Sequence, residues 1–368
     1  MKSVLITNKG IEDNAKKEIK ELIKVDATIK DTVLLFEAKK PDDLCKLCYK
    51  SQTARKILIL LQQGSVKKLD DISIEVDLLP YLKDTKTFGI ECIRLGEQDF
   101  KSVDVESKII HLIAEAYEKT FTHENPDIIF FAYVYNDDFY FGIDLAGFDL
   151  AKRSYKIFNA KNSLKGPVGY EVIRTADYKK KETLVITASK DGVLPIEAAH
   201  YASGLAVNFY NKEKFIFHKY KFLKIKENLL ETFDKKPTTT KIIALDSSNH
   251  NLTLTKKNAK IAGVDKLLSF SRMDLQWLDT KFESTSVDKI IGMLPSPSKH
   301  RTAAEAKKIY KEFFHQTAFI LKPKGLIVTL TPKNDLLKEV AAEYNLKQKK
   351  EKTVAQGQTE FYVTVFSK

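Results

Sequence analysis

The chain has only three cysteines, Cys45, Cys48 and Cys92, too few and odd in number for a disulfide framework. A reducing compartment is expected, the cytoplasm by default. No apolar run approaches the about eighteen residues that a membrane-spanning helix needs. The first residues, MKSVLITNKGIEDN, turn polar too soon to form the apolar core of a signal peptide. Its 14 glycines and 10 prolines in 368 residues exclude a collagen-like or low-complexity chain. Metal chemistry also lacks its raw material. The seven histidines are scattered without any paired spacing, and the single Cys45-Lys46-Leu47-Cys48 lies beside Leu44 in a predicted helix, where packing accounts for it. Gly-rich phosphate loops and nucleophile elbows are missing too.

What remains is a globular composition, 43% apolar and 30% charged, long enough for two or three domains of about 100 to 200 residues. The charge stands out: 61 basic against 49 acidic residues leave +12. Such a surplus suits a polyanion, either nucleic acid or an anionic membrane surface, although lysine bias alone produces it as well.

The first segment, 1–64, reads as a small α+β unit. SVLITN is strand-like, Ile11, Ala15, Ile19 and Leu22 recur at helical spacing, residues 32–38 form a strand, and a helix is predicted to run from Asp42 through KILILL. Residues 65–150 form a second α+β unit, with a strand at 87–96, a helix at 105–121 and a hairpin around Asn136-Asp137-Asp138. From 183 to 368 apolar strands alternate with helices, the pattern of an α/β domain with a buried, mostly parallel sheet. Ligands bind such sheets at the carboxyl ends of the strands.

The segment 151–182 is predicted to be a basic linker. It holds nine basic and three acidic residues, half of the chain's surplus, interleaved with Tyr155, Phe158 and Tyr170. Rings among cations offer stacking faces to unpaired bases, so this strip is a candidate RNA contact, although a solvated linker has the same composition. KEKFIFHKYKFLKIK (212–226) alternates similarly and reads equally as a strand.

These segments together resemble the THUMP-domain RNA methyltransferases, and most of all the archaeal and eukaryotic enzymes that methylate the exocyclic amine of guanine in transfer RNA. The resemblance rests on GIEDNAKKEI, SQTARKILILL, TFGIECIRLGEQDFKS and above all DLAGFDLAKRSYK, and it spans nearly the whole chain. It implies a ferredoxin-like domain, a THUMP domain and a class I methyltransferase-like Rossmann domain. It also implies structured RNA, transfer RNA first, as the partner, with no membrane. Arg94, Lys101, Lys152, Arg153, Lys156 and Lys165 become the expected RNA contacts.

In the cofactor half, the resemblance implies an acidic residue and a Gly-Ser-Gly loop before PIEAA. This chain has ITASKDGVLPIEAA, with Ile186 at the acidic position and Lys190, Asp191 and Gly192 at the loop. Only Gly192 survives, which puts S-adenosylmethionine binding in doubt. Asp246, at a strand end, matches the ribose-binding carboxylate, and Asp274 lies near the adenine position. Acidic residues there also serve as helix or turn caps.

Amine methylation in the family uses an Asn- or Asp-Pro-Pro-aromatic turn, whereas this chain has Met293, Leu294, Pro295 and Ser296. A thioether cannot accept the amine hydrogens that a carboxamide accepts. The expectation is therefore an RNA-binding protein with impaired or absent turnover, acting as a scaffold or as the non-catalytic partner of an active methyltransferase. The alternative is an active S-adenosylmethionine-dependent enzyme with an altered pocket.

Overall fold

Strand–helix alternation is set early, where Val4 and Ile6 turn inward from β1 (Lys2–Ile6) and α1 (Glu12–Ile23) buries Ala15 and Ile19 along one face. The computed structural model describes all 368 residues, Met1–Lys368. They divide into two units, one of residues 1–7, 15–150 and 211–233, the other of residues 8–14, 151–210 and 234–368.

In the first unit β2 (Ala27–Lys30), β3 (Val33–Glu37) and α2 (Pro41–Lys50) follow, and Cys45 and Cys48 are buried in α2, where burial pushes both thiols far up. The helix stops at Lys50, so KILILL, predicted to continue it, is instead β4 (Lys56–Ser65). The break is held from a distance. The Glu18 carboxylate accepts from Gln52 N at 2.9 Å, Thr53 N at 3.1 Å and Ser51 Oγ at 2.6 Å, anchoring the turn that starts the strand.

Next come α3 (Leu79–Leu82), β5 (Thr87–Leu95), α4 (Ser102–Tyr117), β6 (Thr120–Phe121), β7 (Ile128–Tyr135) and β8 (Asp138–Asp144). One sheet, ordered β2-β3-β1-β4-β8-β7-β5-β6, runs across the expected boundary at 64/65 through the pairing of β4 with β8. Lys56 pins that seam, its ammonium 2.6 Å from Asp144 and 2.7 Å from Glu91. Residues 212–226 do not form a strand. They make short 3₁₀ turns that bury Phe215, Phe217 and Tyr220, whose hydroxyl donates to Asp144 O at 2.7 Å, so these rings belong to the interior of the unit.

The second unit contains α5 (Gly166–Thr175), β9 (Thr183–Thr187), α6 (Val193–Ser203), β10 (Lys241–Asp246), α7 (Asn249–Ala262), β11 (Leu268–Arg272) and β12 (Val287–Met293). It ends with α8 (Ala303–Ile320), β13 (Leu321–Thr331), α9 (Asp335–Glu343), β14 (Lys347–Gln356) and β15 (Thr359–Ser367). The sheet order is β11-β10-β9-β12-β13-β15-β14, parallel except where β15 pairs. Leu184 and Ile186 face one core with Val172 and Ile196, while Val185 and Ile290 face the other with Phe313 and Leu337. Helices thus cover both sheet faces, and the strand order reverses beside β9. That leaves an opening at the carboxyl ends of β9, β10 and β12. No helix is long and apolar enough to cross a membrane.

Residues 151–182 are not a linker. They belong to the second unit, and most of α5 is buried. Arg153 is sunk in the interior, its guanidinium donating to Glu197 Oε1 at 2.8 Å and Oε2 at 3.1 Å, while the Tyr155 hydroxyl donates to the same carboxylate at 2.7 Å. KRSYK and PIEAA, two of the segments that carry the resemblance, are therefore locked to each other. Tyr155 and Tyr170 are buried and offer no stacking face to a base.

Candidate active site

β9 ends at Thr187, and the chain must turn at once to start α6. It does so through left-handed residues, Ala188 at φ 56°, Lys190 at φ 52° and Gly192 at φ 93°. Glycine is required at the last of these, because a Cβ there would lie 2.9 Å from Thr255 Cγ2 in addition to adopting a strained φ. Ala188 and Lys190 hold a conformation that costs a β-carbon about 1 kcal/mol or more, so the surroundings must over-determine it. They do: Lys190 N donates to Asp246 Oδ2 at 2.9 Å, and Lys190 O accepts from Thr255 Oγ1 at 2.9 Å.

Of the two side chains that stand at the Gly-Ser-Gly positions, Asp191 does not crowd the loop. Its carboxylate turns into the fold, accepting from Ala160 N at 3.3 Å and from Ser163 Oγ. Asn258, fully buried, donates to Asp191 O and Phe158 O at 2.8 Å each and tethers the same stretch. Lys190 alone reaches the opening, half-buried; burial draws its ammonium below the ordinary lysine value against the pull of Asp191 and Asp246. Ile186 lies wholly in the core beneath the sheet and does not face a ligand.

A cavity of about 770 Å³ opens at the strand ends, lined by Ala188, Lys190, Asp246, Asn251, the turn 293–298, Arg301, Lys333 and, from far along the chain, Asn162, Gln356 and Phe361. A neighbouring cavity of about 530 Å³ shares Ala188, Asp246 and Ser247 and adds Met273, Asp274 and Leu275. Asp246 stands between the two. Oδ1 accepts from Ser248 N at 2.9 Å and Asn251 Nδ2 at 3.1 Å, and Oδ2 accepts from Lys190 N, so the residue is a cap and more. Of the roughly four acceptor positions of a carboxylate, three are used, which leaves Oδ2 room for a ligand hydroxyl. Asp274, exposed at the start of a 3₁₀ turn, has no hydrogen bond to its carboxylate and is flanked by the apolar Met273 and Leu275. These residues fit a nucleoside: a ribose acceptor at Asp246, an apolar shelf beside it, and a second acceptor at Asp274.

On the opposite wall Met293 and Leu294 present apolar surface. Ser296 Oγ is engaged with Thr331 Oγ1 and accepts from Lys333 N at 3.1 Å, and Tyr310, buried on α8, donates its hydroxyl to Pro295 O at 2.6 Å. The turn is therefore braced on both sides, although it lacks the acceptor and the ring that the resemblance implies. Sequence inspection missed Asn162, which lines the cavity, and no hydrogen bond within the chain occupies its side chain. No motif or period in the sequence marks it; in the structure it holds a φ of 55°, a left-handed position that asparagine tolerates.

The expected RNA contacts are dispersed. Arg94 lies on β5, donating Nη1 to Gly96 O at 3.1 Å, and Lys101 is exposed just before α4. In the second unit Lys152 and Lys165 are exposed, whereas Lys156 is half-buried with Nζ 2.6 Å from Leu164 O, and burial lowers its pKa. Arg153 is withdrawn as an RNA contact, because its guanidinium is spent on Glu197.

Residues 153–361 match the RMKL-like methyltransferase domain, and residues 65–144 match the THUMP domain. Over 331 residues the chain is 28% identical to the tRNA (guanine(6)-N2)-methyltransferase of Methanocaldococcus jannaschii, covering 85% of each protein. With the enzyme of that name from Archaeoglobus fulgidus it shares 24% identity over 357 residues, 95% of this chain and 87% of that one. Among solved structures, the methyltransferase SMU.472 in complex with SAH matches at TM-score 0.82 and 16% identity, over 100% of this chain and 97% of the other. TrmN from Thermus thermophilus matches at TM-score 0.71 and 18% identity, over 100% and 99%. These structures agree in fold with the Rossmann-like reading. The expectation of impaired turnover gains no support from relatives that are named as methyltransferases.

Proposed function

Because the chain belongs to the RMKL-like methyltransferase family and carries a THUMP domain ahead of that fold, we propose that it is an S-adenosylmethionine-dependent RNA methyltransferase with an altered pocket. Its substrate is transfer RNA, the target an exocyclic amine of guanine, and its working compartment the cytoplasm. The observation that carries the reading is Asp246: a carboxylate at the end of β10, fixed from three sides yet with acceptor capacity left over, between two cavities of nucleoside size.

The cofactor, when bound, supplies an electrophilic methyl group. The chain's own residues do the rest by binding and orientation. Asp246 takes a ribose hydroxyl, and Asp274 with Met273 and Leu275 takes the base. Met293, Leu294 and Phe361 exclude water from the far wall. Asn162 Oδ1 is a side-chain acceptor open to an incoming amine in place of the missing Asn or Asp. Incubation with tritiated S-adenosylmethionine and an unmodified transfer RNA transcript tests this. Label in the RNA, lost in Asn162→Ala, is the expected result; an unlabelled transcript despite bound cofactor contradicts it.

A second reading rests on Met293 and Ser296. Without an acceptor and a ring in that turn, positioning of the amine weakens, and the chain acts as an RNA-binding scaffold or as the partner of an active methyltransferase. Transcript that is bound but never labelled is the outcome that favours it.

A further inference from the structure

Four ionisable side chains line the 770 Å³ cavity: Lys190, Arg301, Lys333 and Asp246. Three are cations, and none of the three has an ion pair or a side-chain hydrogen bond within the chain. Several lysines elsewhere on the same unit are neutralised by neighbours. Lys307 pairs with Glu339 at 2.8 Å, Lys311 with Glu343 at 2.9 Å, and Lys338 with Glu351 at 3.3 Å. The cleft thus gathers three unpaired cations around a single carboxylate.

The cofactor does not balance it. S-adenosylmethionine carries one carboxylate against an ammonium and a sulfonium, so its arrival adds positive charge to a cleft that already holds three cations and one carboxylate. A phosphate on the other ligand supplies the compensating charge. The backbone beneath two of these cations is also held in place. Arg301 sits on a tight hairpin closed by Ser298 N to Arg301 O at 2.8 Å and Arg301 N to Ser298 O at 3.2 Å, and Lys333 is tied through its N to Ser296 Oγ at 3.1 Å. A fixed backbone limits what the segment must order on binding.

We propose that Lys190, Arg301 and Lys333 form a phosphate cradle at the mouth of the cleft, which receives the phosphodiester next to the nucleotide being delivered. This rests on the reading of the chain as an RNA methyltransferase and adds the place where the strand is gripped. The cations serve the RNA backbone and not the cofactor, so the two ligands are separable by mutation.

The experiment compares the wild-type full chain, Arg301→Ala/Lys333→Ala and Arg301→Lys. Binding of an unmodified transfer RNA transcript is followed by fluorescence anisotropy across potassium chloride, with calorimetry against S-adenosylmethionine and against adenosine monophosphate. In the double alanine variant we expect transcript affinity to fall about tenfold and the log–log salt slope to become shallower by about 1 to 2. Cofactor affinity stays within about twofold, and Arg301→Lys keeps most of the slope. An unchanged slope in a variant that still binds RNA overturns the cradle alone. Loss of cofactor affinity assigns the cations to the cofactor and overturns it as well. So does adenosine monophosphate that binds the wild type and displaces the cofactor, which marks a free-nucleotide site. A wild-type chain that ignores the transcript altogether overturns the RNA reading together with the cradle.

Discussion

Arg153 and Arg301 belong to the same unit and do opposite work. Arg153 is buried with Nε and Nη2 of its guanidinium on Glu197, while Arg301 lines an open cleft without an ion pair. The interior set also includes Lys352, 2.5 Å from the buried Glu171. The cleft set includes Lys190 and Lys333. Net charge read from a sequence adds these populations together, although one is paired in the interior and the other is left open to a ligand. Neighbours differ as sharply: Lys152 is exposed and Arg153 is not.

The sharpest way to break the contrast is Arg153→Ala. It strands Glu197 in the interior, and urea or thermal unfolding should report a loss of about 3 to 5 kcal/mol. Exchanging both partners for apolar residues of similar volume should cost much less than either single change. A small loss of stability joined to a flatter RNA salt slope would move Arg153 into the cleft population.

His200, one turn beyond Glu197 on α6, extends the interior set as an ionisable group kept neutral. Burial lowers its pKa to about 4. The folded value lies below the unfolded one, so the group's contribution is complete above about pH 6.5 and is lost as pH falls toward 4, by up to about 3 kcal/mol. Stability measured by urea unfolding from pH 7 to pH 4.5 should decline more steeply in wild type than in His200→Leu. Parallel declines would remove the histidine from the account.

Asp246→Ala acts on the cleft wall. It removes the proposed ribose acceptor and also releases Lys190 N, so cofactor affinity measured by calorimetry should fall by at least about tenfold, a loss of about 1.5 to 3 kcal/mol. Equal affinity in the variant would place the ligand elsewhere. The smallest effect on stability is expected for Lys152→Ala, within about 0.5 kcal/mol of wild type, with any change confined to a salt slope shallower by about 1. A large destabilisation would show that Lys152 shares Arg153's interior role.

What was legible in the sequence follows from locality. The alternation of Leu184–Ile186 and Ile290–Ile291 with amphipathic helices announced the α/β half, because strand and helix periods are local properties of the chain. Gly192 and Asp246 were legible because a left-handed turn and a strand-end carboxylate leave marks in the residue type itself. The rest depended on distant partners. KILILL looked helical until Glu18 anchored the turn at Ser51–Thr53. Arg153 looked like an RNA contact because its charge is visible and its partner lies 44 residues away. Asp191 looked like an obstruction, yet it bonds to Ser163, and the cavity draws Asn162, Lys333 and Phe361 from three separate stretches. No period or motif brings those residues together; only the sheet order does.

The central claim is that the altered cleft still takes S-adenosylmethionine at Asp246. Isothermal titration of the purified full chain with S-adenosylmethionine, beside Asp246→Ala, tests it most directly. Saturable binding at micromolar strength that weakens at least about tenfold in the variant is the expected result. A wild-type chain that shows no saturable binding up to millimolar ligand would contradict it, and Lys190 would then stand as the residue that closed the site.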